Sequence, residues 1–245
     1  NHLINIIEIQ QRMTQGFTKP WLCRGDDGKL YVVKRLNAAY LGCIYEWIAA
    51  QLGTRFGLPV PDSQLVYIDD LLVEGDDELT NDLGCGIAFA SELKDSLQEV
   101  NLDRLREVKK SLLLDLFMFD YWIKNSDRTL TDKGGNPNLY YNIVTGDLVV
   151  FDHNLAFEHD FSSLDHKSIH AASSVIKGQT DLFTDVIDKA HYQAKFEEAM
   201  LDFDAVINII PREWLDGLKD ADGEIDRIRV LLNDFVNENF WEALA

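Results

Sequence analysis

Three short stretches hold residue types that can do chemistry together: Asn125-Ser126-Asp127-Arg128, Asn136-Pro137-Asn138 and Asp152-His153. The last two flank a segment that reads as a β-hairpin, Leu139 to Val144 and Leu148 to Phe151, turning near Thr145-Gly146-Asp147. Such a turn puts Asn138 and Asp152 roughly seven residues out on opposite arms, so their side chains emerge near each other at the open end. An amide oxygen and a carboxylate held there can ligate a hard cation. Magnesium fits, because it accepts one or two carboxylates and leaves its other positions to water and phosphate oxygens. Asp127, in the loop just upstream, stands where it can orient an attacking hydroxyl.

The complementary charge is Lys34. Trp21-Leu22-Cys23, Gly25-Asp26-Asp27-Gly28 and Leu30-Tyr31-Val32-Val33 read as strand, turn and strand. Period-two alternation then groups Lys34 with Leu30, Val32 and Leu36, the more apolar face, where an ammonium is costly unless it meets an anion. Leu41 to Phe56 has helical spacing, and Glu46 is the one carboxylate on its small-residue face of Gly42, Ala49, Ala50 and Gly53. Lysine on phosphate oxygens, carboxylate and amide on magnesium, and an acid near the acceptor hydroxyl make the minimum set for phosphoryl transfer.

The surrounding pattern runs from strands to helices. Ser63 to Ile68 and Gly86 to Leu93 read as further strands, with the acidic stretch Asp69 to Asp82 between them as a surface loop or hairpin. Apolar residues from Leu102 to Ile123 recur every three or four positions and predict one central buried helix, and the chain reads as helical from Leu182 onward. His166 and His170, four apart, read as surface residues, and His153 as a hydrogen-bonding partner that orients Asp152.

These residues resemble the HipA-like kinases, a bacterial branch of the protein-kinase-like fold. The resemblance rests on Lys19-Pro20-Trp21 with Asp27-Gly28-Lys29-Leu30-Tyr31-Val32-Val33-Lys34, on Tyr45-Glu46-Trp47-Ile48-Ala49-Ala50-Gln51-Leu52 running into Gly57-Leu58-Pro59-Val60-Pro61, and on Asn125-Ser126-Asp127-Arg128, Asn136-Pro137-Asn138-Leu139 and Phe151-Asp152-His153. It implies an α+β, two-lobed protein-kinase-like fold: a small β-rich N-lobe with one helix over residues 1–93, and a larger, mainly helical C-lobe over 94–245. It implies ATP and Mg2+ as cofactors, with Lys34 on the nucleotide phosphates and Glu46 paired to it. Asp127 would be the catalytic base, Asp152 the principal magnesium ligand and Asn138 the second, with Asn136 as the alternative, and Arg128 would add positive charge to the catalytic set. Thr14 to Pro20, including Gly16, Thr18 and Lys19, would cover the phosphates, although it has a single glycine. The extra N-terminal region of full-length HipA toxins is expected to be missing.

Composition sets outer bounds. Among 245 residues, 42 Asp and Glu outnumber 23 Lys and Arg, a net charge of −19. That balance argues against nucleic acid and anionic membranes as partners. No signal peptide or membrane span is expected, and three scattered cysteines suggest neither disulfides nor zinc, which together point to the cytoplasm. Three functions are compatible: a serine/threonine protein kinase, a small-molecule kinase, and a nucleotide-binding pseudokinase with a regulatory role. The acidic surplus favours a basic acceptor over an acidic one.

Overall fold

A computed structural model describes residues 3–13, 19–177 and 187–244. Five strands, β1 (Ile4–Arg12), β2 (Trp21–Gly25), β3 (Leu30–Lys34), β4 (Ser63–Ile68) and β5 (Gly86–Glu92), close a barrel in the order β1-β2-β3-β5-β4. Adjacent strands are antiparallel except β1 and β4, which are parallel. The β2–β3 hairpin turns at Asp26-Asp27-Gly28, where Gly28 takes a φ of +83°, a conformation that costs glycine nothing. Ile6, Cys23, Tyr31, Val33, Val66 and Ala88 fill the barrel.

The two faces expected for β3 are found, and the barrel takes the one without Lys34. Tyr31 and Val33 point into the barrel, while Val32 and Lys34 line a cleft on its outer side. Lys34 is buried because the cleft covers it.

Helix α1 (Ala39–Phe56) is buried nearly all round, and packs into the same core as the later helices. Gly53 shows why small residues were needed: a Cβ there would lie 2.9 Å from Val60 and 3.4 Å from Phe119. Gly57, with a φ of +91°, ends the helix by donating to the carbonyls of Gly53 and Thr54. The Asp69 to Asp82 stretch, expected as a loop or hairpin, instead forms a 3-10 turn and α2 (Asp77–Asp82), whose first turn is capped by the Asp76 carboxylate.

A second sheet of three strands, β6 (Leu97–Glu99), β7 (Leu139–Asn142) and β8 (Leu148–Val150), forms the opposite wall of the cleft. The single helix expected from Leu102 to Ile123 is two, α3 (Leu102–Leu105) and α4 (Lys110–Trp122). The apolar stripe runs on through Val108, but the backbone does not: Lys109, with a φ of −55° and a ψ of 130°, leaves helical geometry between the two. Leu116 through Trp122 are all buried in α4, and Trp122 donates its indole N–H to the Leu232 carbonyl at 2.8 Å. Two short helices follow, α5 (Ser163–Ile169) and α6 (Ser173–Lys177), and the helices Lys189–Ala199, Phe203–Asn208, Arg212–Asp216, Ala221–Leu232 and Glu238–Glu242 complete the described chain. Among the described residues no helix is long and apolar enough to cross a membrane.

Candidate active site

Lys34 ends β3 with its side chain in the cleft. Its Nζ lies 2.7 Å from Asp152 Oδ1 and 3.3 Å from Glu46 Oε2. Glu46 Oε2 also accepts the backbone N–H of His153 at 3.0 Å, so α1 is fastened to the segment carrying Asp152. Burial alone would pull the Lys34 pKa down, but the two carboxylates outweigh it and hold the ammonium charged. Burial likewise opposes ionisation of Asp152, and Lys34 overcomes it, so Asp152 stays below the usual carboxylate range. Glu46, buried beside the charge of Asp152, is raised. One ammonium thus faces two carboxylates, a surplus of buried negative charge.

Asp127 is half-buried in the loop after α4, and its Oδ2 accepts from Asn136 Nδ2 at 2.9 Å and Asn138 Nδ2 at 2.8 Å. Both amides spend nitrogen on Asp127 and keep an oxygen for a cation. The pairing of Leu139 with Val150 sets Asn138 opposite Phe151, next to Asp152. Asn138 has a φ of +46° and Asp152 one of +63°. Left-handed backbone at a non-glycine residue costs on the order of 1 kcal/mol or more, and survives where the surroundings enforce it.

What enforces it lies underneath. Asp120, fully buried in α4, accepts from Arg128 Nε at 2.7 Å, Asn125 Nδ2 at 2.8 Å and His170 Nε2 at 2.9 Å. The Arg128 guanidinium then donates to the carbonyls of Asn138 at 2.5 Å and Phe151 at 3.2 Å, so it grips the residues on both arms of the hairpin. Arg128 is 1% exposed, and it does not line the cleft. Its carboxylate partner is Asp120 rather than the adjacent Asp127.

The histidines depart from expectation. His166 and His170 are buried, not on the surface, because α5 turns its i,i+4 face onto α4: His166 bonds the Phe117 carbonyl and His170 bonds Asp120. The His153 ring meets Arg128 Nη2 at 3.0 Å, so its partner is not Asp152. Ala172 N–H donates to His170 Nδ1, which places that ring's proton on Nε2, facing Asp120. Burial holds all three rings neutral, with His153 pushed down to about 3.

A stability prediction follows from these rings. An unfolded histidine titrates near about 6.5. Below that value the unfolded chain takes up protons that the folded one refuses, so stability is expected to fall as pH drops from about 6.5 towards 3. Each neutral ring contributes up to about 1.4 kcal/mol per pH unit. Urea midpoints measured across that range check it; a flat profile would mean that the rings are charged in the native state.

The cleft between barrel and second sheet holds a cavity of about 350 Å³ whose lining includes Val32, Lys34, Glu46, Asn136, Asn138 and Asp152. Tyr140, Phe151 and Val32 give it apolar walls. Of the residues expected to cover phosphates, Gly16 and Thr18 lie outside the described residues. Lys19 is exposed and not part of the cavity wall, whereas its neighbour Pro20 is. Asp120 went unrecognised in the sequence, although an acid inside an apolar helical run is itself a signal.

The donor set fits a hard divalent cation. Among the described residues no three His, Cys, Asp or Glu are grouped to hold a metal, so an ion here would draw on few carboxylates, with Asp152 a candidate, and on amide oxygens. That is the sparse protein contribution magnesium accepts when phosphates and water complete its shell, and its charge would offset the buried negative surplus.

Comparison with known proteins identifies the fold and the family. The crystal structure of a Helicobacter pylori proinflammatory kinase, CtkA, superposes with a TM-score of 0.62 at 12% sequence identity, covering 99% of this chain and 97% of that one, which shows a kinase-like fold. No curated protein matches the chain. The family model for HipA-like kinases matches residues 6–244, nearly the whole length, and the chain therefore belongs to the HipA-like kinase family.

Proposed function

We propose that the protein is an ATP- and Mg2+-dependent phosphotransferase, a serine/threonine protein kinase working in a reducing cytoplasm. The observation that carries this reading is the cleft where Lys34, Glu46 and Asp152 meet, with Asn136 and Asn138 tying Asp127 to its floor. Residues 1–93 serve as the nucleotide-binding lobe and 94–245 as the catalytic lobe.

Each side chain then has a task. Lys34 holds phosphate oxygens, and Glu46 keeps its ammonium aimed into the cleft. Asp152 and Asn138 hold the metal, with Asn136 beside them at the more exposed edge. Bound magnesium would neutralise phosphate charge. Asp127 takes the proton of the acceptor hydroxyl, and its two amide contacts fix the carboxylate's orientation before the acceptor arrives. Arg128 acts through the carbonyls of Asn138 and Phe151, as a positioning residue.

The test is a thermal-shift titration with ATP and magnesium, followed by transfer of labelled γ-phosphate. Stabilisation and transfer are both expected, and Lys34→Met should lower kcat/KM for ATP about a hundredfold or more, since it removes the positive contact to the phosphates and leaves Glu46 and Asp152 facing each other. Nucleotide stabilisation without transfer would make the protein a regulatory pseudokinase. Transfer by Lys34→Met at the wild-type rate would remove Lys34 from the mechanism.

A further inference from the structure

Asp127 links two cavities, lining one and accepting from Asn136 and Asn138, which line the other. One is the nucleotide cleft. The other, of about 630 Å³, is bounded by the start of α1, by Ser126, Asp127 and Thr129, and by the segment Asn154 to Asp160. We propose that this second cavity receives the phosphate acceptor, and that the acceptor is a peptide presenting a serine or threonine beside a lysine or arginine. This rests on the kinase reading above and adds the acceptor's chemistry to it.

Charge complementarity identifies the occupant. Asp127, Glu158 and Asp160 line the cavity beside His159, and among the described residues no lysine or arginine does. A cationic side chain entering there would meet attraction from several directions, and an acidic one would meet repulsion that grows as water is displaced. The lining adds an apolar element, for Leu155 is 51% exposed and Leu41 36% exposed. Two large apolar side chains held in water beside a charged cavity suit an acceptor with its own apolar residue, which a peptide supplies and a small polycation lacks.

The wall carrying these residues is fixed in place. Phe157 N–H donates to the Ile123 carbonyl at 2.7 Å, and Glu158 N–H to the Lys124 carbonyl at 3.2 Å. From the other side Arg227 donates to the Phe157 carbonyl at 2.8 Å, and the Tyr45 ring packs edge-on against Phe157 with centroids 5.4 Å apart. Phe157 itself is fully buried with a φ of +59°. The Glu158 backbone is therefore set in position before any acceptor binds, a pre-organised site.

In the reaction this implies, the acceptor Oγ bonds to the γ-phosphorus of ATP as the bond from that phosphorus to the β–γ bridging oxygen breaks. ADP leaves, and the hydroxyl proton passes to the Asp127 carboxylate and then to water.

The test uses the described chain with ATP, magnesium and three synthetic serine peptides, flanked by arginine and leucine, by glutamate, or by alanine. The wild type should prefer the arginine-leucine peptide. The double variant Glu158→Lys/Asp160→Lys, altered at two exposed positions, should lose about tenfold or more in kcat/KM for that peptide through KM, gain on the glutamate peptide, and keep its KM for ATP. An unchanged preference in the double variant would overturn the inference. So would faster phosphorylation of kanamycin or choline than of any peptide. Autophosphorylation without an arginine preference would sink the acceptor assignment alone, whereas no transfer to anything would sink the kinase reading beneath it.

Discussion

Replacing Asp152 by asparagine is expected to cut phosphate transfer by about a thousandfold or more while leaving the fold intact. The loss follows from the proposed metal site: an amide carries no charge, and Asn138, the other proposed ligand, is an amide as well. Stability should change little: losing a carboxylate that Lys34 holds ionised has a cost, and two features of the same residue offset it. Asp152 is the carboxylate that puts buried negative charge in excess around Lys34, and removing it leaves Lys34 paired with Glu46 alone. Its φ of +63° is a conformation asparagine tolerates at least as well as aspartate. A large effect on activity with little effect on stability marks a residue kept for function rather than for the fold. Melting temperature and γ-phosphate transfer, measured on one preparation, check both halves. Activity within tenfold of wild type would remove Asp152 from metal binding, and a melting temperature lower by several degrees would make it a structural residue.

The cleft was legible in sequence where chemistry and local spacing coincide. Lys34 and Glu46 could be paired because each is a lone charge on a patterned element, and Asn138 and Asp152 because a hairpin turn fixes what faces what. Strand β1 left no such mark: of its nine residues only Ile6 is buried, since the strand closes the barrel mostly through backbone bonds, and its side chains follow no alternation. What each face of β3 meets was hidden for a related reason. Lys34 is buried like Tyr31 and Val33, but in the cleft rather than in the barrel, and alternation cannot tell one cover from the other. The network around Asp120 was illegible because its partners lie up to 50 residues apart in sequence and meet only once α5 folds over α4. Spacing of four between His166 and His170 shows a shared face, and whether that face looks outward is decided by tertiary packing.

That network gives the second large effect. Asp120→Ala should destabilise the protein by about 3–5 kcal/mol, because it leaves the Arg128 guanidinium buried without its counter-ion and strands donors on Asn125 and His170. The damage should not stop at stability. Arg128 is the link by which Asp120 holds the carbonyls of Asn138 and Phe151, and the left-handed backbone at Asn138 and Asp152 depends on that grip. Transfer by the residual folded protein is therefore expected to show a raised magnesium requirement, a readout that general loosening elsewhere in the core would not move. Removing both charges separates the two roles. In Asp120→Leu/Arg128→Met no uncompensated ion remains, so much of the stability should return, with a coupling energy of about 1–3 kcal/mol relative to the single variants. The magnesium defect should persist, because the carbonyls of Asn138 and Phe151 still lack their donor. Urea unfolding of the two single variants and the double variant supplies the cycle, and a magnesium titration of each supplies the second axis. Strict additivity would mean that Asp120 and Arg128 act independently, and recovery of magnesium affinity in the double variant would mean that the hairpin holds its strained residues without Arg128.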